Sequence, residues 1–257
     1  MNICSVGTAF PGRYYDQDEL LAEFKRVWGH RFYNSERLEH IHRAVSVGGR
    51  HLALPVEEYE GLSSFSDSNR AYIRVATDLG AAAVSAALEE ASLDVADVDH
   101  LMFASITGLA TPSIDARLVN RLGLREDVKR TPIFGLGCLA GSAGVARAAD
   151  YVRAYPEQTA VVLSVELCSL TLQRTDTSMA NIIASGLFGD GAAAVVVRGR
   201  RAPEPHTDAS DLNDSGVGPS KGPEVVATRS VFYRDTEDVM GWEFGGDGFR
   251  LVLSGEI

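Results

Sequence analysis

The 257-residue sequence predicts an α/β layered fold built around a buried mixed or parallel sheet. Three observations predict it. Short apolar runs of strand type alternate with helix-period segments from Asn2 to Gly199. The central runs, 100–106 and 159–167, are apolar almost throughout, as strands covered on both faces are. The composition, 45% apolar and 23% charged, suits a globular protein large enough for one big core or two small ones.

The elements follow in order. "MNICSVGTAFPG" reads as a strand stopped by Pro11-Gly12. "QDELLAEFKRVW", after Asp16, has helical spacing at Leu20, Leu21, Phe24 and Val27, with its acids early. A polar, basic stretch runs from Arg31 to Arg50, and an acidic loop surrounds Glu57 to Glu60. "RAYIRVATDLGAAAVSAALEE" (70–90) is a long alanine-rich helix buried on one side. "HLMFASI" is a strand, "PSIDARLVNRLGL" (112–124) a helix closed by Gly123, and "KRTPIFGLG" (129–137) a strand. The helix "LAGSAGVARAADYVRAY" follows and stops at Pro156. "TAVVLSVEL" is a strand, "SMANIIASGLF" a helix and "GDGAAAVVVRG" a strand. The segment 201–223, rich in Pro, Gly, Ser and Asp, reads as a loop or linker. "EVVATRSVFYRD" restarts as a strand, and "GWEFGGDGFRLVLSGEI" reads as a glycine-containing hairpin. The expected organisation is therefore a domain over 1–200, a linker over 201–223 and the start of a second α/β half over 224–257.

A net charge of −11 argues against a general nucleic-acid or membrane-surface binder, since both require basic patches. No apolar run reaches spanning length, and the N-terminus lacks a basic region followed by an apolar core, so a cytoplasmic protein is expected. Cys4, Cys138 and Cys168 are odd in number and widely spaced, which excludes a disulfide framework or a cysteine zinc site. Among six histidines only His40 and His42 are close. Positions i and i+2 do not share a helix face, so no metal site is expected.

"FGLGCLAGSAG" (134–144) sets Cys138 at the mouth of a helix among four glycines. Backbone N–H groups and the helix dipole favour negative charge there, and the thiolate is the nucleophilic form of cysteine. Gly135, Gly137 and Gly141 permit a sharp strand-to-helix turn and close approach by a substrate. The pattern is that of a nucleophile elbow built on sulfur, against the alternative of a small core residue.

"FGLGCLAGSAGVARAADYVRAYP", "SVELCSLTLQ" and "GLFGDGAAAVVVRG", with "SITGLATPSIDARLVNRLGL" ahead of them, resemble the N-terminal half of type III polyketide synthases, the chalcone-synthase-like family. The resemblance covers most of residues 1–200. It implies a thiolase-like layered fold, here the N-terminal half plus the start of the second, and a homodimer. It places Cys138 as the acyl-carrying nucleophile and Phe188 as the aromatic gatekeeper between a coenzyme A tunnel and the reaction cavity. Ile106, Thr107, Leu170 and Gly186 fall at cavity-lining positions. Thr111 stands where the family sends a residue across the dimer interface, a small polar residue in place of the plant enzymes' methionine. Arg37, His40 and Arg43, at i, i+3 and i+6, match the segment that holds coenzyme A phosphates, with His40 where a firmer cation is usual. Neighbouring His42 and Arg50 are given no role, and Gly189, Asp190 and Gly191 are expected to shape a turn.

The implied activity is acyl transfer. A starter moves from coenzyme A, or from an acyl carrier protein, to Cys138, and malonyl-CoA units are then condensed to a pyrone or resorcinol-type product. Coenzyme A thioesters are substrates, and no cofactor or metal is implied. The family mechanism also needs a histidine and an asparagine downstream of the gatekeeper. His206 and Asn213 lie in the polar loop and Asn181 precedes the gatekeeper, so none matches, and a truncated chain is the expectation. Two alternatives stand beside this reading: a ketoacyl synthase III-like condensing enzyme, and an inactive half-domain that pairs with a full-length paralogue.

Overall fold

The computed structural model describes residues 1–28, 35–203 and 222–254. In chain order the elements are β1 (Asn2–Ala9), β2 (Tyr14–Asp16), α1 (Gln17–Trp28), α2 (Ser35–Ala44), β3 (Gly49–His51), α3 (Phe65–Glu90), β4 (His100–Ala104) and α4 (Ile114–Leu122). They continue as β5 (Lys129–Ile133), α5 (Ala140–Ala154), β6 (Thr159–Leu167), α6 (Met179–Leu187), β7 (Asp190–Arg198), β8 (Met240–Gly245) and β9 (Gly248–Leu253). The chain divides into two compact units: Met1–Ala9, Ala76–Val165 and Ala192–Val231 form one, and Phe10–Val75, Glu166–Gly191 and Phe232–Ile257 the other.

The first unit holds most of a five-stranded sheet in the order β1-β7-β6-β4-β5. β4 runs parallel to both β5 and β6, whereas β1 pairs antiparallel with β7, so the sheet is mixed. All five residues of β4 are buried, which explains the unbroken apolar run in the sequence. α5 covers one part of the sheet, with Ala148, Ala149 and Val152 packed on Met102, Ala160, Val162 and Val197. Gly144 lets this helix approach, because a Cβ there would lie 2.6 Å from Val162 Cγ1. α3 comes as near to β1: a Cβ on Gly7 would lie 2.2 Å from the Ala83 carbonyl oxygen, and Ser5 Oγ donates to the Ala87 carbonyl at 2.6 Å. By length and composition alone α3 is apolar enough to cross a bilayer, contrary to the sequence expectation. Ala71, Ala76, Ala81, Ala83 and Ala87 are buried in the protein instead, while Ala82 lies on the exposed side.

In the second unit β2 pairs with β3, and β8 with β9, both antiparallel. Leu21, Phe24, Leu38 and Ile182 join α1, α2 and α6 in a small core. Phe249 sits among Phe65, Trp242 and Phe244, with ring centroids 5.0–5.8 Å away, and fixes the hairpin.

The polar, basic stretch up to Arg50 contains α2, on which Arg37, His40 and Arg43 lie, and runs into β3. A further expectation differs from the structure. The segment after Glu224 forms no strand among the described residues; only Glu224 bridges, to Asn2. Val226, Val231, Phe232 and Tyr233 are exposed, and an extended segment becomes a strand only where an edge receives its backbone groups. Most of the expected linker, 204–221, lies outside the described residues.

Candidate active site

The cysteine turn belongs to the first unit. β4 and β5 are parallel and in register, Ala104 opposite Ile133, so the segments after them leave the sheet at the same edge. Gly135 (φ 86°) and Gly137 (φ 57°) occupy the left-handed region, which glycine enters without steric penalty. They turn the chain so that Cys138 lies in one tight helical turn, Gly137–Leu139, immediately before α5. The Cys138 side chain is exposed, and no side chain caps the start of α5. A nucleophile needs that accessibility, and a packing cysteine would be buried. On the segment after β4, Thr107 is buried, Ile106 half-buried and Thr111 exposed, next to the cis Thr111–Pro112 bond.

The second unit holds a cavity of about 100 Å3. Leu20 and Phe24 of α1, Leu172, and Trp242 and Leu251 of the hairpin give it apolar walls, with Phe188 and Cys168 also on its surface. Leu170 and Gly186 are buried and are not among the lining residues. Phe188 is the C-cap residue of α6, its N–H bonded to the Ala184 carbonyl at 3.0 Å.

Around Phe188 the structure gathers residues with no expected part in a site. The buried Arg50 guanidinium donates to the carbonyls of Ser185 and Gly186 and to Gln17 Oε1 at 2.8 Å. Gln17 Nε2 donates to the same Gly186 carbonyl at 3.0 Å. Burial pushes Arg50 down to about 10, against the opposing pull of the Asp190 charge. Asp190 accepts from the N–H of Ser169 at 2.9 Å, from Ser169 Oγ, and from the Ala53 N–H at 2.5 Å. Burial raises this carboxyl to about 6 despite those bonds. Tyr59 Oη lies 2.5 Å from Ser169 Oγ, and burial raises its phenol.

His42 packs against Phe24 and α6, with Nε2 3.2 Å from Ser185 Oγ. Ser185 Oγ itself donates to the Ile182 carbonyl at 2.7 Å, so His42 must donate from Nε2. Nδ1 is then a buried acceptor with no partner. Burial first, and the Arg50 and Lys25 charges after it, hold His42 down to about 4. His40 lies exposed on the other side of α2, in line with the expected absence of a shared face.

Arg37, His40 and Arg43 are exposed on α2. Arg43 pairs with Glu39 at 2.7 Å, and Glu39 bridges on to Lys25 at 2.5 Å. The hydrogen bond from Lys25, with the Arg43 charge, keeps the Glu39 carboxyl below its usual range. Asn181 is committed to structure: its Nδ2 donates to the Gln173 and Asp176 carbonyls at 2.9 and 2.7 Å. His206 and Asn213 lie outside the described residues.

A mixed sheet covered by alanine-rich helices, with a cysteine presented at the head of one of them, is the thiolase-like class of fold. Within that class the chain belongs to the chalcone and stilbene synthase family, the type III polyketide synthases: the profile described as chalcone and stilbene synthases, N-terminal domain, matches residues 1–200. The chain is 46% identical over 256 residues to a 1,3,6,8-tetrahydroxynaphthalene synthase of Streptomyces peucetius, covering all of this chain and 64% of that protein. It is 31% identical over 254 residues to a phloroglucinol synthase of Pseudomonas fluorescens, covering 98% of this chain and 67% of that one. The crystal structure of the 1,3,6,8-tetrahydroxynaphthalene synthase of Streptomyces coelicolor, a bacterial type III polyketide synthase, superposes with a TM-score of 0.86 at 30% identity. That match covers 100% of this chain and 68% of the other. The chain thus spans about two thirds of the length of these relatives.

Proposed function

We propose that Cys138 carries the acyl group in a type III polyketide synthase reaction. The observation that supports this most is the turn itself: an exposed thiol, aimed by two left-handed glycines, at the uncapped start of α5. The Cys138 thiolate adds to the thioester carbonyl of an acyl-CoA. The tetrahedral oxyanion collapses, the carbon–sulfur bond to coenzyme A breaks, and coenzyme A leaves as a thiol after taking a proton. In the condensation that family membership implies, malonyl-CoA loses carbon dioxide and its enolate carbon attacks the acyl-Cys138 carbonyl. That attack frees the thiolate and lengthens the chain by two carbons. Cyclisation then gives a pyrone or resorcinol-type product.

Phe188, on the wall of an apolar cavity, serves as the gate between the incoming thioester and the growing chain. The cations of α2, exposed to solvent, take the coenzyme A phosphates, which an acidic chain can hold only through a local basic face. An acyl carrier protein can deliver the starter in place of coenzyme A. The working enzyme is a homodimer in the cytoplasm, a reducing compartment compatible with three free cysteines.

Mass spectrometry of the 257-residue chain after incubation with hexanoyl-CoA tests the first step. The acyl mass is expected on the Cys138 peptide and absent from the Cys4 and Cys168 peptides. Cys138→Ala should remove it while changing stability by about 1 kcal/mol or less, as befits an exposed side chain. Label that persists in Cys138→Ala, or a wild-type chain that takes none, overturns the assignment.

A further inference from the structure

The last carbonyls of a helix have no partners within it, and a cation placed there meets both unpaired oxygens and the negative end of the helix dipole. α6 ends at Leu187, and its Ser185 and Gly186 carbonyls are such groups. Both are taken by Arg50, 135 and 136 residues earlier in the chain. No carboxylate of the described residues lies within ion-pair distance of this guanidinium. A buried positive charge has therefore been spent on two peptide oxygens and one amide.

Phe188 follows two residues after Gly186, past Leu187, as the C-cap of α6. On its other side Asp190 is clamped by Ser169 and the Ala53 N–H. The glycines on either side fit the same arrangement. A Cβ on Gly186 would lie 3.3 Å from the His42 ring, and one on Gly189 would lie 3.0 Å from Arg50 Cβ. Between Gly186 and Gly189 the turn carries two side chains, Leu187, which is 40% exposed, and Phe188, which stands on the cavity wall, and both of its ends are fixed by β3 and its continuation.

We infer that Arg50 is a positioning residue for Phe188: by capping α6 it fixes where the Phe188 ring stands on the cavity wall, and so which acyl groups pass. The part about passage rests on the reading of Phe188 as a gate; the part about position does not. Lysine cannot substitute, because its single ammonium lacks the planar fork that reaches two carbonyls and an amide together.

Fluorine NMR of the 257-residue chain with 4-fluorophenylalanine at position 188 tests the position. The same label at Phe103, buried in β4 of the first unit, reports folding. Wild type should give a single sharp line at 188. Arg50→Lys should broaden or split it while the line at 103 stays unchanged. Gln17→Leu, which removes the second donor to the Gly186 carbonyl without stranding a charge, should shift the 188 line in the same sense and by less. If Arg50→Lys fails to fold, collapse of the 103 line shows it and the Gln17→Leu sample decides. An unaltered line at 188 in a folded variant overturns the inference. Addition of hexanoyl-CoA separates the two claims. A 188 line that responds to Arg50→Lys but not to acylation of Cys138 retains the positioning role and discards the gate.

Discussion

Asp190 and His42 are buried in the same unit with opposite electrical preferences, and their titrations pull stability in opposite directions over one range of pH. Asp190 has its folded pKa raised from 3.8 to about 6, chiefly by burial. The folded protein therefore binds this proton more tightly than the unfolded chain does. The resulting stabilisation is full below pH 4 and is lost as pH rises through about 6, an effect on the order of 3 kcal/mol. His42 is lowered from 6.5 to about 4, again chiefly by burial. Its contribution is full above 6.5 and is lost as pH falls through about 4, by a similar ~3 kcal/mol. The two slopes oppose each other between pH 4 and 6, and single substitutions expose them. Relative to wild type, Asp190→Asn should make unfolding free energy rise more steeply with pH across that range, and His42→Gln should make it rise less steeply or fall. Urea unfolding at several pH values measures both. Two variants that shift stability by amounts independent of pH would mean that neither group is titrating as its burial demands.

At the scale of the element, α5 carries two glycines three residues apart that do different things. A methyl group on Gly144 would lie 2.6 Å from Val162, whereas one on Gly141 would meet Ser164 Oγ at an ordinary 3.4 Å. Glycine inside a helix normally costs about 1 kcal/mol against alanine. Gly141→Ala should therefore be neutral or stabilising by up to ~1 kcal/mol. Gly144→Ala should destabilise by about 1–3 kcal/mol, because the helix must lift from β6. Thermal melts of the pair check this; equal effects would show that α5 and β6 are less closely fitted than these contacts require. The same helix shows what a sequence can disclose. The alternation of apolar runs and the glycines around Cys138 are local signals, so most strands and helices and the turn that presents Cys138 were legible from them. Arg50, His42 and Asp190 were not, because the contacts that join them, Arg50 to Gly186, His42 to Ser185 and Asp190 to Ala53, span some 135 to 145 residues and no local pattern marks a cation that caps a helix from another part of the chain. His42 and Arg50 read as companions of the exposed α2 cations, and only the packing of α2 and β3 on α6 separates them. The supposed strand after Glu224 failed for the complementary reason: β propensity was present, but an edge to pair with was not.

For the whole molecule, the balance to weigh is between apolar surface and like charge. Beside the Cys138 turn the first unit leaves Leu109, Phe134, Leu136 and Leu139 from 40% to 55% exposed, on segments that emerge from one edge of the sheet. Surface of that kind drives association. A net charge of −11 opposes it, because two copies repel wherever salt does not screen them. The 257-residue chain should therefore associate, and the association should strengthen as salt is raised. An interface held by ion pairs would weaken under the same change. Light scattering after size-exclusion chromatography at low and high salt distinguishes these outcomes. Leu136→Glu combined with Leu139→Lys keeps the net charge and removes two of the four apolar side chains. It should shift the population toward monomer at both salt concentrations, with no loss of helical signal in circular dichroism. A chain that is monomeric throughout, or that dissociates as salt rises, would mean that this surface does not govern self-association and that the proposed homodimer is held elsewhere.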